Sequence, residues 1–95
     1  MTTRSLILAA EADVTAGAGN STTVGNATVV RVFNDAGSNN TITIQDPSGN
    51  YDHNGLTAAG SITLPSNQVE FIEKPASYTI HGSGDFRATK VGFTN

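Results

Sequence analysis

The residues of this 95-residue chain that could do chemistry are few, and their densest group is one oxygen-rich stretch. That stretch consists of Asp46, Asn50, Asp52, His53 and Asn54. Its centre is similar to the turn of a calcium-binding loop, which requires a bidentate Glu at the twelfth position. The twelfth residue is Thr57 counted from Asp46 and Thr63 counted from Asp52. We therefore interpret the stretch as turn residues that bond to nearby backbone, with binding of an ion or a glycan left open.

Histidine and carboxylate patterns give no catalytic constellation. His53 and His81 are the only imidazoles, and neither has a second histidine two or four residues away. A catalytic pair of carboxylates is not expected either, because Glu70 and Glu73 lie on opposite faces of one predicted strand. Asp85 stands in a turn, and no nucleophile elbow or oxyanion loop is present. The sequence predicts a protein that is not an enzyme, with no catalytic residue, cofactor, metal or small-molecule substrate.

The basic residues are too few to indicate nucleic-acid binding. Five Lys and Arg face eight Asp and Glu, for a net charge of −3, so phosphate affinity should be poor. Arg87 and Lys90 form either a small local patch or an ordinary solvated strand face. An isopeptide bond from Lys74 or Lys90 to an asparagine is a rarer alternative. Cysteine is absent, which excludes disulfides and thiolate metal sites.

The elements that position these residues are predicted to be β-strands. The chain contains 13 Thr, 10 Gly, 9 Asn and 8 Ser, which supply β-branched strand residues and turn formers. The run 28–34 places Val30 and Val32 on one face and Val29, Arg31 and Phe33 on the other, and strict alternation in 41–45 places Ile42 and Ile44 inward. Similar runs separated by turn residues continue to residue 93. We predict an all-β fold, a small antiparallel sandwich or barrel of about seven strands with an N-terminal arm.

The beginning of the chain differs from the rest. Residues 11–27 are small and polar with three glycines, which is typical of a flexible arm or long loop. The apolar run from Leu6 to Leu8 precedes them and either anchors the arm on a partner or forms the first strand of the same sheet. We divide the chain into an N-terminal arm, 1–27, and a β-sandwich domain, 28–95. Arg4, Leu6, Ile7 and Leu8 are the candidate partner-binding residues.

No targeting or membrane segment is recognised near the N-terminus. The apolar run from Leu6 to Ala10 spans five residues and is followed by Glu11, whereas a signal peptide needs about 7–15 apolar residues. A membrane span needs about 20. We expect a protein made in the cytoplasm, with no membrane partner.

The strands of the second half resemble a known class of protein. The segments are Ile62-Thr-Leu-Pro, Val69-Glu-Phe-Ile-Glu-Lys, Tyr78-Thr-Ile and Ala88-Thr-Lys-Val-Gly-Phe-Thr-Asn95. They resemble small virion structural proteins of tailed phages, particularly those of marine cyanobacteria. The resemblance covers about residues 28–95 and contains no catalytic motif.

This resemblance implies a structural protein of the virion. It implies a capsid decoration, or cement, protein that is made in the host cytoplasm, binds the major capsid protein on the outer surface and clusters with its own copies as a trimer. A neck or tail component is an alternative within the particle. A receptor- or glycan-binding module is the alternative from another class, because Tyr51 offers an aromatic platform beside Asp52, His53 and Asn54.

Overall fold

A computed structural model describes residues 4–46 and 58–94 of the chain. In these two stretches the chain forms eight β-strands and one 3₁₀ turn at Ala18–Asn20. The strands are β1 (Arg4–Ile7), β2 (Ala12–Val14), β3 (Val29–Phe33), β4 (Asn40–Gln45), β5 (Ala58–Leu64), β6 (Val69–Glu73), β7 (Thr79–Gly82) and β8 (Phe86–Thr94). The prediction of an all-β fold is confirmed.

The strands form two antiparallel sheets that pack together as a sandwich. Sheet I has the order β1-β8-β3-β6, with β2 also paired to β8, and sheet II has the order β5-β4-β7. The chain changes sheet between β3 and β4, between β5 and β6, and at each later connection. Of the two predicted architectures, the sandwich is therefore the one observed. The predicted hairpin turn after Asp46 falls mostly on residues outside the described ranges.

The core lies between the sheets and follows the alternation of the strands. Val30 and Val32 of β3 are fully buried, while Val29, Arg31 and Phe33 on the opposite face are half-buried. In β4, Ile42 is buried and Ile44 packs partly against the core, as predicted. Phe86 and Ala88 of β8 are also buried, and they belong with Val30 and Val32 to the core layer of sheet I. Period-two patterning thus accounts for the core, because each strand turns one face inward.

In strand β6, two of the three large apolar side chains lie on the outer face of the sheet and only one faces the core. Ile72 faces the core and packs against it, and its backbone register places it beside Val30. Val69 and Phe71 therefore lie on the outer face of sheet I, where they are 38% and 40% exposed. Val69 and Phe71 thus form an apolar surface on the outer face of β6. Alternation separates the two faces of this strand but does not predict which of them is buried.

The N-terminal segment lies along the edge of sheet I. β1 and β2 both pair antiparallel with β8, with Ile7 opposite Val91 and Ala12 opposite Ala88. The leading apolar run is thus a strand of the same sheet, one of the two alternatives that the sequence left open. Val14 and Ala27 are both buried in the core. A domain boundary at residue 27 stays a prediction, but the described residues before it contribute to the same core as those after it.

Two buried asparagines tie the loops at one end of the sandwich. The amide of Asn34 donates to the carbonyls of Ser38 and Leu64 at 2.9 and 2.8 Å, and its oxygen accepts from the Ala36 N–H at 3.0 Å. Because Leu64 ends β5, this side chain joins the β3–β4 loop to sheet II. Burial with every bond made is what a stable polar group inside a protein requires.

Asn40 does the same for the turn between β7 and β8. Its amide donates to the carbonyls of Gly84 and Asp85 at 2.9 and 3.0 Å, and its oxygen accepts from the Gly84 N–H at 3.0 Å. The backbone passes so close that a Cβ on Gly82 would lie 2.7 Å from the Asn40 oxygen. We call Asn34, Asn40 and their partners the asparagine cluster.

Candidate interaction surface

The side chains considered from the sequence as catalytic or metal-binding candidates are not grouped together in the structure. Glu70 and Glu73 sit on opposite faces of β6, as expected from their spacing. Asp85 accepts a hydrogen bond from the Ala16 N–H at 2.8 Å. Within 4–46 and 58–94, no group of three or more His, Asp or Glu side chains is placed to hold a metal ion. Glu70 and Glu73, on opposite faces, therefore do not face a common centre.

His81 lies on β7 with its backbone opposite Thr43 of β4. Its Nδ1 is buried and has no hydrogen-bond partner among the residues that the structure describes. His53, with Asn50, Tyr51, Asp52 and Asn54, lies outside the described residues, and so does most of the predicted calcium- or glycan-binding stretch.

Lys74 is buried between the start of β3 and the chain that follows β6. Its Nζ donates to the carbonyl of Ala27 at 2.7 Å and, at longer range, to those of Pro75 and Ala76. Burial lowers the pKa of this ammonium from its ordinary value of 10.5, because desolvation penalises the charged form. The Lys90 Nζ donates to the Gly25 carbonyl at 3.0 Å. All of these partners are main-chain oxygens, whereas an isopeptide bond would need a side-chain amide at the amine.

The outer face of sheet I carries a network of ion pairs around Arg87. The Arg87 Nε lies 2.9 Å from Asp35 and 3.3 Å from Asp13, and its Nη1 lies 3.4 Å from Glu11. Glu11 also reaches Arg31 at 3.2 Å. We call these five residues the Arg87 network. The hydrogen bond to Asp35, then that to Glu11, raises the pKa of Arg87 above its ordinary value.

Arg87 and Lys90 do not form the local basic patch that was one of the two alternatives from the sequence. Arg87 lies opposite Phe33 and Lys90 lies opposite Val30, so the two cations belong to opposite faces of β8. Arg87 is also surrounded by three carboxylates. The two residues therefore do not form a joint surface for phosphate.

The predicted partner-binding residues form an apolar edge of sheet I. Leu6, Ile7 and Leu8 are 50%, 71% and 51% exposed, although they are consecutive and apolar. Their backbone is held by β8, with Leu6 opposite Gly92 and the Leu8 N–H donating to the Lys90 carbonyl at 2.9 Å. Arg4 starts the strand, paired through its backbone with Thr94. We call residues Leu6–Leu8 the apolar edge.

The shape of this edge follows from its register. Ile7 and Ala12 are five residues apart, whereas their partners Val91 and Ala88 on β8 are only three apart. The two additional residues bulge between β1 and β2, and the bulge ends the regular pairing. The apolar edge is therefore a short stretch fixed on one side by β8.

A cleft opens at the opposite edge of the sandwich, where β5 and β6 leave the two sheets apart. It has a volume of about 320 Å³, and its apolar walls are Ile44, Ile62 and Ile72. Glu73, Lys74 and Pro75 lie along its other side. Ile62 is 41% exposed, although its register partner Ile42 is buried. We call this feature the isoleucine cleft.

Gly60 leaves open space beside the cleft, which it lines. It lies opposite Ile44 in the β4–β5 pairing, and a Cβ added to it would meet no atom within 4 Å. The pattern of apolar residues along the chain does not predict this cleft. The available signal was a glycine inside a strand pattern, which often marks a close approach of another chain.

The described residues contain no helix long and apolar enough to cross a membrane. Comparison with models of protein families, with curated proteins and with solved structures finds no match to this chain.

Proposed function

We propose that this protein is a structural component of a phage virion, a decoration protein that binds the outer surface of the capsid and stabilises the head. The observation that carries the proposal is the apolar edge. Three large aliphatic side chains, each half or more exposed, lie along an edge strand, with Leu6 and Leu8 on one face and Ile7 on the other. Exposed apolar surface at a sheet edge is typical of sites that contact another protein.

The position of the apolar edge supports an assembly role. Edge strands are where natural sheets accept another chain, and most proteins protect them with charge, proline or a covering loop. Here Leu6, Ile7 and Leu8 follow one another without a charge, on a backbone that β8 already holds in place. A partner thus meets an ordered strand, which reduces the entropy lost on binding.

The rest of the molecule suits a part that must persist rather than react. The asparagine cluster fixes the loops at one end, and within the described residues no group of three or more His, Asp or Glu side chains is placed to hold a metal ion. The resemblance of residues 28–95 to virion proteins of tailed phages gives the proposal its particular form, with the major capsid protein as partner. Many copies on one shell would turn weak individual contacts into lasting attachment.

Binding to empty capsid shells tests the proposal. Purified protein is sedimented with undecorated shells of tailed phages that infect marine cyanobacteria. We expect saturable co-sedimentation, and a loss of at least about tenfold in affinity for the triple variant Leu6→Ser, Ile7→Thr, Leu8→Ser, because its apolar burial is removed. Substitution is preferable to deletion of residues 1–12, because β1 pairs with β8.

The control variant is Val69→Thr, which alters an exposed apolar residue at the other edge of sheet I and should bind as wild type. Failure of wild-type protein to bind shells would overturn the decoration role. Binding to isolated tails would instead assign it to the neck or tail, and binding to a glycan array would assign it to host recognition.

A further inference from the structure

We propose that strand β5 of one copy pairs antiparallel with β5 of a second copy, so that sheet II continues from one molecule into the other. The inference goes beyond the proposed function and does not rest on it, because it involves neither the apolar edge nor a capsid. β5 ends sheet II beside the isoleucine cleft, whereas β1 ends sheet I at the side away from β6. The two surfaces are therefore available at the same time.

The ends of the two sheets differ in how they are protected against another strand. β1, which carries the apolar edge, and β6 end sheet I, and β5 and β7 end sheet II. β6 contains Glu70 and Glu73, and charge on an edge strand discourages pairing. β7 is covered by the N-terminal segment, where Thr22 and Ile80 exchange backbone hydrogen bonds of 3.1 and 2.8 Å. Both β6 and β7 are thus protected.

β5 has neither form of protection. Its seven residues, Ala58–Leu64, include no charged residue and no proline. In the part of the chain that the structure describes, β4 is the one strand that pairs with it. Ser61, Ile62 and Thr63 are all exposed. An exposed edge strand of this length without charge is a template for pairing with another chain.

A second copy is the occupant that fits this edge, because β5 is complementary to itself. The regular part of its pairing with β4 runs from Gly60 to Leu64, and Ile62 is the midpoint. An antiparallel pair centred there places Ile62 opposite the same residue of the second copy. Gly60 then lies opposite Leu64, and it leaves room for this larger residue because an added Cβ would meet no atom within 4 Å. Ser61 lies opposite Thr63, and such hydroxyl pairs stabilise neighbouring strands.

The pairing also covers the exposed part of the isoleucine cleft. Ile62 is on the inner face of β5, because its register partner Ile42 is buried, yet it is 41% exposed. In the paired molecules the Cβ atoms of the two Ile62 residues would be about 4.5–5.5 Å apart. Ile44 and Ile72 line the same cleft, so the core of one copy would continue into that of the other. Burial of such apolar surface is the main favourable contribution to association.

Charge favours β5 over the neighbouring edge β6 as the contact between copies. Each copy has a net charge of −3, so two copies repel each other. Pairing through β5 brings no charged side chain opposite another, whereas pairing of β6 with β6 would bring together Glu70 and Glu73 of both copies. A contact of one surface with itself has two-fold symmetry and closes at two copies. We therefore expect a dimer, where the resemblance to phage proteins implies a trimer.

Sedimentation equilibrium tests the inference without any capsid. The monomer is 9.8 kDa, and we expect twice that mass. Wild-type protein that stays monomeric, or that forms a trimer, would overturn the two-fold pairing. The triple variant Leu6→Ser, Ile7→Thr, Leu8→Ser should remain dimeric, because the apolar edge lies outside the contact. Loss of the dimer in this variant would assign the contact to the apolar edge and refute the pairing of β5.

Ile62→Asp should have the largest effect on the dimer. Each carboxylate would be buried opposite the other in an apolar contact, so association should weaken by about 100-fold or more. Val69→Asp is the matched control, because Val69 is similarly exposed, at 38%, but lies outside the contact. Thermal unfolding at low concentration checks that both variants fold. An Ile62→Asp dimer as tight as that of the control would contradict the pairing.

Charges introduced on the outer face of β5 test the register. Ser61 and Thr63 are exposed, so substitutions there leave the core of the monomer intact. Ser61→Lys combined with Thr63→Lys would place like charges opposite each other twice, and association should weaken by about tenfold. This variant also brings the net charge closer to zero, so weaker association cannot come from general repulsion. Ser61→Lys combined with Thr63→Glu would oppose unlike charges and should bind at least as tightly as wild type. Equal effects of the two combinations would overturn this register.

A single cysteine at the centre of the pairing gives a direct test, because the chain has no cysteine of its own. Two Ile62→Cys residues would be directly opposed, with Cβ atoms about 4.5–5.5 Å apart, close to the roughly 3.5–4.5 Å of a disulfide. Two Thr63→Cys residues would be diagonal neighbours at about 7–8 Å. Under mild oxidation we expect Ile62→Cys to form a covalent dimer much faster than Thr63→Cys. Equal rates would indicate random collision and refute the pairing centred on Ile62.

The shell-binding experiment separates this inference from the proposed function. Wild-type protein that is monomeric in solution but binds shells would overturn the pairing of β5 and leave the decoration role standing. Protein that forms the β5 dimer but ignores shells would support the pairing and overturn the decoration role.

Discussion

The asparagine cluster and the Arg87 network are both groups of polar contacts, but they lie in opposite surroundings. Asn34 and Asn40 are fully buried and neutral, and their amides bond to main-chain groups. The side chains of the Arg87 network are charged and between 31% and 82% exposed. The asparagine side chains supply hydrogen bonds to buried backbone groups that water does not reach. The charged groups of the Arg87 network are exposed, so water can solvate them when their ion pairs break. Burial, rather than the number of bonds, should therefore decide which region holds the fold together.

The largest expected effect comes from Asn40→Ala. It leaves the carbonyls of Gly84 and Asp85 and the Gly84 N–H without their side-chain partner at a buried position. We expect the free energy of unfolding to fall by about 2–4 kcal/mol, measured by urea denaturation. Asn39→Ala, at the exposed neighbouring residue, is the control and should change stability little. A loss for Asn40→Ala no larger than the control's would refute the view that the cluster holds this end of the sandwich.

Gly82→Ala should have the next largest effect. Its Cβ would lie 2.7 Å from both the Asn40 oxygen and the Gly84 carbonyl and 2.9 Å from the Phe86 ring. We expect a loss of about 1–3 kcal/mol from this overpacking. Gly60→Ala, which meets no atom within 4 Å, is the matched control and should be neutral or slightly stabilising.

Combining Gly82→Ala with Asn40→Ala sharpens the interpretation. The shorter side chain at position 40 removes one of the three close contacts, so the double variant should lose less than the sum of the single losses. Additive losses would show that the Asn40 side chain is not what makes Gly82 necessary.

Lys74 lies between the two extremes, because it is charged but buried. Lys74→Met removes a buried cation and also leaves the Ala27 carbonyl without its donor at 2.7 Å. These effects partly cancel, so we expect a net loss of about 1–2 kcal/mol near neutral pH.

The pH dependence of this variant has a definite sign. Burial lowers the pKa of Lys74 in the folded state, so between that value and 10.5 the unfolded chain binds more protons than the folded one. The stability of the wild type relative to Lys74→Met should therefore increase as pH rises toward 10.5 and level off above it. Urea denaturation of both proteins from neutral pH to pH 11 measures the difference, and a constant or falling difference would contradict a lowered pKa.

Sequence patterns predict the sandwich well and its surfaces poorly. Alternation in β3 and β4 is local: it places Val30 and Val32 on one face, which the structure shows to be buried, and Ile42 is buried as predicted. Alternation does not predict that Asn34 and Asn40 are buried. The run from Asn34 to Asn40 has the composition of an exposed turn, and these two residues become interior only because Leu64 at the end of β5 and the β7–β8 turn at Gly84 approach them.

The candidate interaction surfaces divide in the same way. Leu6, Ile7 and Leu8 were predicted as partner-binding residues from a local apolar run. The isoleucine cleft depends on Gly60 facing Ile44 across a strand pairing and on Ile72 from the other sheet. Its residues meet only through topology, which a single sequence does not display.

Arg87 gives the smallest expected effect. Arg87→Gln removes the centre of the network but exposes nothing that water cannot solvate, so we expect the Tm to fall by only about 2–4 °C at low salt. Most of that loss should disappear in 1 M NaCl, where the screening length is about 3 Å. Arg87→Lys, which keeps the charge, should lie closer to wild type than Arg87→Gln does.

Scanning calorimetry in both salts, with wild type in each, measures these shifts beside those of Asn40→Ala. The Asn40→Ala shift should persist in 1 M NaCl, because its broken bonds are neutral and buried away from ions. If the Arg87→Gln shift were as large and as insensitive to salt, the three carboxylates around Arg87 would have to be held in an effectively low-dielectric environment. The outer face of sheet I would then be a structural element comparable to the asparagine cluster, and the contrast between the two regions would fail.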